Sequence, residues 1–454
     1  MNLYRNLTIG LFAMLAVVLA AFHSPGQMSV DSILALYGAM KGVAAGWDVT
    51  FLSAILAWLG GGVIATSLFV AINCFLTYGC FVVILTDKVS VLVPRWRLVL
   101  AFVLALNPLF MFYIGIIWKD VILATSAMLI ATLLLLAVNR AGRVRYLLLT
   151  LSAIMIAFLV PIRQQGILLA APFAIVTAWL MMKSWRQRTI FRMAVFIACI
   201  GFIVGCNVLF MKFEAYTIKA PAVGAVWSGL LTIRDYDIAG IIAHTRAHEP
   251  NDWSEATPAA KDEMRTLYSP ERIDTIWHVP AVRSYFDNLG SAQGWSIWVH
   301  GIERHPMAYV QHRMSALAWL LGLRRMDQCV AAYWGIYGLP DQVAALGLHE
   351  EMDGRAKAIG HLTVHLYGTP VFRNWFYALL LLVATIVTVV KLKGERRLVA
   401  SGVAVASWLY LLSFIPTTIA CDFRYLYPVA CLSSVLCVYL LTCTPPKAGR
   451  SQPS

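Results

Sequence analysis

Ten apolar runs recur along this chain, most of them close to twenty residues, about the length a single helix needs to cross the hydrocarbon core of a bilayer. They cover about 7–22, 62–85, 98–117, 121–138, 146–160, 166–182, 193–211, 373–390, 399–418 and 426–442. Lipid offers no partner to backbone N–H and C=O groups, so only helices and closed barrels can span. The alternating pattern of a membrane barrel is absent. The expected fold class is therefore an all-α polytopic membrane protein of about ten transmembrane helices, with one large polar segment between helices seven and eight. Composition agrees: 13% of the residues are charged, against about 25% in a soluble domain.

Lys and Arg in the short connections set the orientation. One face receives Arg5, Lys88, Arg95, Arg97, Arg140, Arg143, Arg145, Lys183, Arg186, Arg188, Arg192, Lys391, Lys393, Arg396, Arg397, Lys447 and Arg450. The other receives Lys41, Lys119, Arg163 and Arg424. The positive-inside rule puts the first face, with both termini, in the cytoplasm. The net charge of +13 is then topology signalling at helix ends. Nucleic acid is excluded as a partner, and anionic membrane lipids are expected.

This orientation divides the chain. Residues 1–211 form an N-terminal membrane domain of seven spans with a first outer loop at 23–61. Residues 212–372 form an extracytoplasmic, mainly helical domain, and 373–442 the C-terminal membrane helices. Residues 443–454 are a polar cytoplasmic tail. The first helix reads as a retained signal-anchor, because no small-x-small site precedes His23. The apolar stretch 307–323 ends in Arg324 and Arg325. Making it a span would move the basic loop at 391–397 outside, so an interfacial helix with His312 and Arg313 on its wet side is expected. Cys74, Cys80, Cys199, Cys206, Cys431, Cys437 and Cys443 lie in or beside apolar runs as small core residues. Cys329 and Cys421 fall outside; whether they pair in an oxidising compartment is left open.

The outer face collects a sparse set of ionisable residues. The stretch Trp118-Lys119-Asp120 interrupts two apolar runs. An ionised group costs roughly 2.5–3.5 kcal/mol at the centre of a span, so the pair belongs at a surface corner or in a polar cavity. Adjacent helical residues do not face each other, which argues against a mutual ion pair. Asp31 sits in the first turn of a short amphipathic stretch at 30–43, where a carboxylate suits the helix dipole; the plain reading is a cap. Asp48, in the same loop, reads plainly as a helix start. Arg163 follows Pro161 in a short turn with Gln164 and Gln165, a setting suited to an anion. Arg424 lies in CDFRYLYP beside Asp422, Tyr425 and Tyr427. Three cations at membrane depth are what a lipid phosphate or pyrophosphate requires. A nearby carboxylate is what deprotonating an acceptor hydroxyl requires. His244/His248 and His361/His365 have helical i, i+4 spacing but no HExxH order. Solvated faces are their plain reading, the metal ligands are unknown, and a divalent cation as cofactor is left open.

The stretch MSVDSILALYGAM, the restart GWDVTFLSAILAWLG, the corner IIWKD after NPLFMFY, the turn RQQG and the late FRYLYP together resemble GT-C class integral membrane glycosyltransferases. Protein mannosyltransferases and the aminoarabinose transferases of lipid A are better-known members. One departure is Val49-Thr50, where many relatives carry His-Pro. The resemblance implies a polyprenyl-phosphate-linked sugar as donor, used with inversion on the outer face. It implies Asp31 as the catalytic base or acceptor-orienting carboxylate. It also implies that Lys119, Arg163 and Arg424 hold the donor phosphate and that Asp120 orients Lys119, with Asp48, Tyr425 and Tyr427 nearby.

The function expected is transfer of a sugar from a lipid carrier to an extracytoplasmic lipid, glycan or protein acceptor, in a bacterial inner membrane. A lipid or polysaccharide transporter or flippase is the first rival, but it needs broken helices and charges near the midplane. A surface-polysaccharide polymerase or ligase is the second, sharing the donor chemistry.

Overall fold

The helices Lys119–Ala137 and Tyr427–Thr442 are apolar on every face, and such helices are stable only inside a bundle. In the computed structural model, which describes residues 2–46, 50–87, 93–183, 189–219, 224–245, 257–324 and 329–443, these two pack against each other at the centre. Helix makes up 80% of the described residues. Among the described residues ten helices are long and apolar enough to cross a membrane, so this is an all-α polytopic membrane protein.

In chain order the first half contains α1 (Asn2–His23), α2 (Val30–Lys41), α3 (Thr50–Trp58), α4 (Gly62–Thr86), α5 (Arg95–Ala105), α6 (Pro108–Tyr113), α7 (Lys119–Ala137), α8 (Gly142–Ile162), α9 (Gly166–Lys183) and α10 (Thr189–Thr217). The long segment between the seventh and eighth spans, expected from the sequence to lie outside and called the outer segment on that ground, contains α11 (Gly224–His244), α12 (Pro258–Leu267), α13 (Asp274–Trp277), α14 (Pro280–Asn288), α15 (Ser291–Arg304), α16 (Pro306–Leu320), α17 (Pro340–Ala345) and α18 (Gly354–Leu366). The chain returns through α19 (Asn374–Lys391), α20 (Gly394–Thr417) and α21 (Tyr427–Thr442). The apolar stretches of α7 and α21 are each 83% buried and that of α10 is 6% buried, which makes α10 a rim helix.

Two cores result. One runs through the membrane bundle and takes in Ile33 and Leu36 of α2. The other lies within the outer segment, around Tyr236, Ile241, Met264, Val282 and Phe286. Trp277, Trp295 and Trp298 pack within this segment: Trp277 under Arg283, and Trp295 edge-on to Trp298. Trp253, Asp48 and His248 lie outside the described residues.

The third span differs from expectation. It breaks at Asn107-Pro108, where Asn107 caps α6 by accepting from Leu109 N at 2.9 Å and donates to the Tyr377 hydroxyl at 2.9 Å. It ends at Tyr113. Residues 114–118 then leave the helix and pair with the first loop: Gln27 N donates to Gly115 O and Ile117 N to Gln27 O. Lys119 and Asp120 therefore begin α7, and do not form a separate corner before it.

The stretch expected as an interfacial helix is helical, as α16, but its polar residues face inward. His312 is 0% and Arg313 2% exposed. Both meet Asp237 of α11: Arg313 Nε lies 2.6 Å and His312 Nε2 3.2 Å from Oδ1, while Trp298 Nε1 donates to Oδ2 at 2.9 Å. The Tyr268 hydroxyl meets His312 Nδ1 at 2.7 Å. The wet-side expectation was wrong because a charged pair set looks the same in sequence whether water or a buried Asp satisfies it. His361 and His365 are exposed on α18. Among the described residues no group of three or more His, Cys, Asp or Glu is arranged to hold a metal ion.

Candidate functional site

One end of the bundle gathers helix N-termini. Asp31 lies in the first turn of α2, Asp120 in the first turn of α7, and Arg424 in the 3-10 turn Phe423–Leu426 that leads into α21. Local bonds lock the first two starts together. Trp118 Nε1 donates to Ser29 Oγ at 2.8 Å, and Ser32 Oγ donates to Ile117 O at 2.7 Å. Arg163 joins from the α8–α9 turn. Gly166 is required there, because a Cβ at that position would lie 2.2 Å from Leu159 O.

Two arginines share one ring. Arg163 Cζ is 5.0 Å and Arg424 Cζ 5.5 Å from the centre of Tyr425. Phe414 adds a second face to Arg163 at 5.6 Å, and Trp118 a second face to Arg424 at 4.8 Å. Such rings hold a guanidinium by cation–π attraction without consuming its N–H groups. Carboxylates supply the counter-charge. Asp120 pairs with Arg163. Arg163 Nε also donates to Gln165 Oε1 at 2.6 Å. Arg424 Nη1 donates to Asp31 Oδ2 at 2.5 Å, and its Nε lies 3.5 Å from Asp422 Oδ2.

Exposure separates the three carboxylates. The Asp120 side chain is 1% exposed, Asp422 9% and Asp31 43%, so Asp31 is the one an incoming molecule meets. Burial of its surroundings acts to raise the Asp31 carboxyl. Arg424, with Lys119 and Arg163 acting through space, outweighs that and holds it below the usual carboxylate value. Asp31, Lys119, Arg163, Arg424 and Tyr425 thus converge. Tyr427 does not: it is 0% exposed and stacks on Tyr113 in the core at 4.4 Å.

Sequence reasoning missed how firmly the Arg424 segment is held. Arg313 Nη1 donates to Thr418 O at 2.8 Å, and Ile273 N to Ile419 O at 2.9 Å. Ala420 forms a bridge with Arg272. Cys421 is disulfide-bonded to Cys329. Asp422 Oδ1 accepts from Arg272 Nη2 at 2.8 Å and from Val330 N at 3.3 Å, and Phe423 N donates to Val330 O at 3.0 Å. Six consecutive residues before Arg424 are therefore anchored by the outer segment. Trp118 stood in the sequence beside the charged pair and its ring was the available signal; Arg272 had none.

Chemically, this end of the bundle offers guanidinium N–H groups fixed by aromatic walls, an ammonium from Lys119 and, among the described residues Asp31, Asp120 and Asp422, one accessible ionised carboxylate, Asp31. That set suits a phosphorylated ligand beside a hydroxyl-bearing one. Comparison with protein-family models, with curated proteins and with solved structures gave no match to this chain.

Proposed function

We propose that the chain is an integral membrane glycosyltransferase of the bacterial inner membrane. It transfers a sugar from a polyprenyl-phosphate carrier to an extracytoplasmic lipid, glycan or protein acceptor. The observation that carries this reading is the meeting of Asp31, Arg163 and Arg424 around Tyr425 at one end of the bundle. The Cys329–Cys421 disulfide, which ties the outer segment to the connection before α21, supports an oxidising compartment on that side. Charges at span ends, and not at the midplane, favour this over a transporter.

In this reaction Asp31 accepts the proton of the acceptor hydroxyl. The hydroxyl oxygen then attacks the anomeric carbon from the face opposite the phosphate, and the carbon–oxygen bond to phosphate breaks. The electron pair leaves with the prenyl phosphate, whose growing charge is met by Arg424, Arg163 and Lys119. One bond forms, one breaks, and the anomeric configuration inverts. The test is transfer from radiolabelled prenyl-phosphate sugars in membranes carrying the Asp31→Asn chain. Loss of transfer with normal protein levels is expected, and undiminished transfer overturns the assignment.

A further inference from the structure

We propose that the Arg424–Asp31 pair is an exchangeable one: the donor phosphate takes Arg424 from Asp31, and in doing so frees that carboxylate to act as the base. The inference rests on the reading above, in which Arg424 receives the donor phosphate.

The two partners are held very differently. The Arg424 side chain is 18% exposed, lies against the rings of Trp118 and Tyr425, and has Asp422 at its Nε. Asp422 is itself fixed by Arg272 and Val330 N. Asp31 is 43% exposed and meets Arg424 through Oδ2. When the pair opens, the carboxylate moves and the guanidinium stays.

The geometry also makes the two anions competitors. Arg424 presents its Nε edge to Asp422 and its Nη1 to Asp31. A phosphate that grips the accessible end of this guanidinium in a bidentate way, through Nη1 and Nη2 together, competes with Asp31 for Nη1. The donor phosphate is a diester with one charge on two non-bridging oxygens, and it gains charge toward the about −1.5 to −2 of a monoester as the sugar departs, against one charge for a carboxylate. Lys119 and Arg163, which already act on Asp31 through space, draw that phosphate to the same place. A carboxylate locked to a guanidinium is a weak base, and one released from it is stronger. Donor binding and base activation thus become one event, and the acceptor hydroxyl is deprotonated only when a leaving group is in place.

The exchange makes a counter-intuitive prediction: removing a site carboxylate tightens ligand binding. The probe is a short-chain prenyl monophosphate, titrated into the full-length protein in detergent, with inorganic phosphate and the matching prenyl alcohol in parallel. Asp31→Asn is expected to bind both phosphates more tightly, by about tenfold for the loss of one competing charge contact, and to leave alcohol binding unchanged. In the wild-type protein, carbodiimide labelling of Asp31, read by peptide mass spectrometry, is expected to rise when the prenyl monophosphate is added. The labelling decides the matter if Asp31→Asn does not fold. Wild-type binding of the phosphate with no tightening in Asp31→Asn, or with labelling unchanged or reduced, overturns the exchange and leaves the phosphate site standing. Failure of both proteins to bind either phosphate overturns the exchange together with the reading beneath it.

Discussion

Arg424 Nη1 sits 2.5 Å from Asp31 Oδ2, across 393 residues of sequence. The contact joins the start of the last helix to the start of the second. Neither residue is placed by its own neighbours alone: α2 is clamped to residues 117–118 by Ser29 and Ser32, and Arg424 is aimed by the anchored segment before it.

Arg424→Lys preserves the charge but removes the planar fork and its contact with two rings. Transfer is expected to fall by about 10²–10³-fold, the size of losing one preorganised donor to a leaving oxyanion. Membrane levels of the protein should stay close to normal. Near-normal rates with Lys would mean that position 424 supplies charge without geometry.

Asp120 and Arg163 make the most enclosed ion pair of the site, at 1% and 10% exposure. Removing one member leaves the other buried without its counter-charge, at a cost of about 3–5 kcal/mol. Asp120→Asn should therefore lower the melting temperature in detergent as well as transfer. Arg163→Gln should cost at least as much stability, since it strands the more buried Asp120, whereas the Arg163 left by Asp120→Asn still leans on Gln165 and two rings. Equal melting of Asp120→Asn and the parent chain would remove Asp120 as a structural partner.

Much of the fold is legible from hydropathy alone, because a span must be apolar over its whole length whatever its neighbours are. The ten spans and the amphipathic α2 come from that constraint. Asp31, Lys119, Arg163 and Arg424 stand out for the same reason, as charges where lipid forbids them. Pairing is not legible this way. Asp120 has two cations within reach of any sequence argument, and its pairing with Arg163 depends on how α8 ends beside α7. Tyr425 and Tyr427 look equivalent on paper, yet the helical turn between them sends one to the arginines and the other into the core. The burial of His312 and Arg313 depends on Asp237, which is 75 residues away and carries no local mark.

The Cys329–Cys421 disulfide closes a loop with a sequence separation of 92 and fastens the residue just before Asp422. Replacing both cysteines with serine should cost roughly 2–4 kcal/mol of stability. It should also reduce transfer more at low donor concentration than at saturation, because the Arg424 segment would be less firmly preorganised. Kinetics over a range of donor concentrations, alongside a melting curve, check both parts. Unchanged affinity for donor would show that hydrogen bonds to Arg272, Ile273 and Val330 hold the segment unaided.

His312 gives the outer segment a dependence on acidity. Burial lowers its pKa below the ordinary value of 6.5, against the opposing pull of its hydrogen bond to Asp237. The folded protein thus keeps the imidazole neutral at a pH where the unfolded chain has begun to protonate it. The unfolded state then binds more protons, and stability falls as pH drops below about 6.5. The proton would go onto Nδ1, where the Tyr268 hydroxyl now meets the ring, and Arg313 stands adjacent as a like charge. Melting of the outer segment, followed by hydrogen exchange on α11 and α16, should therefore shift to lower temperature between pH 7.5 and 5.5. His312→Gln should be less stable at neutral pH but lose much of that slope. An identical slope in the variant would assign the acid sensitivity to another group.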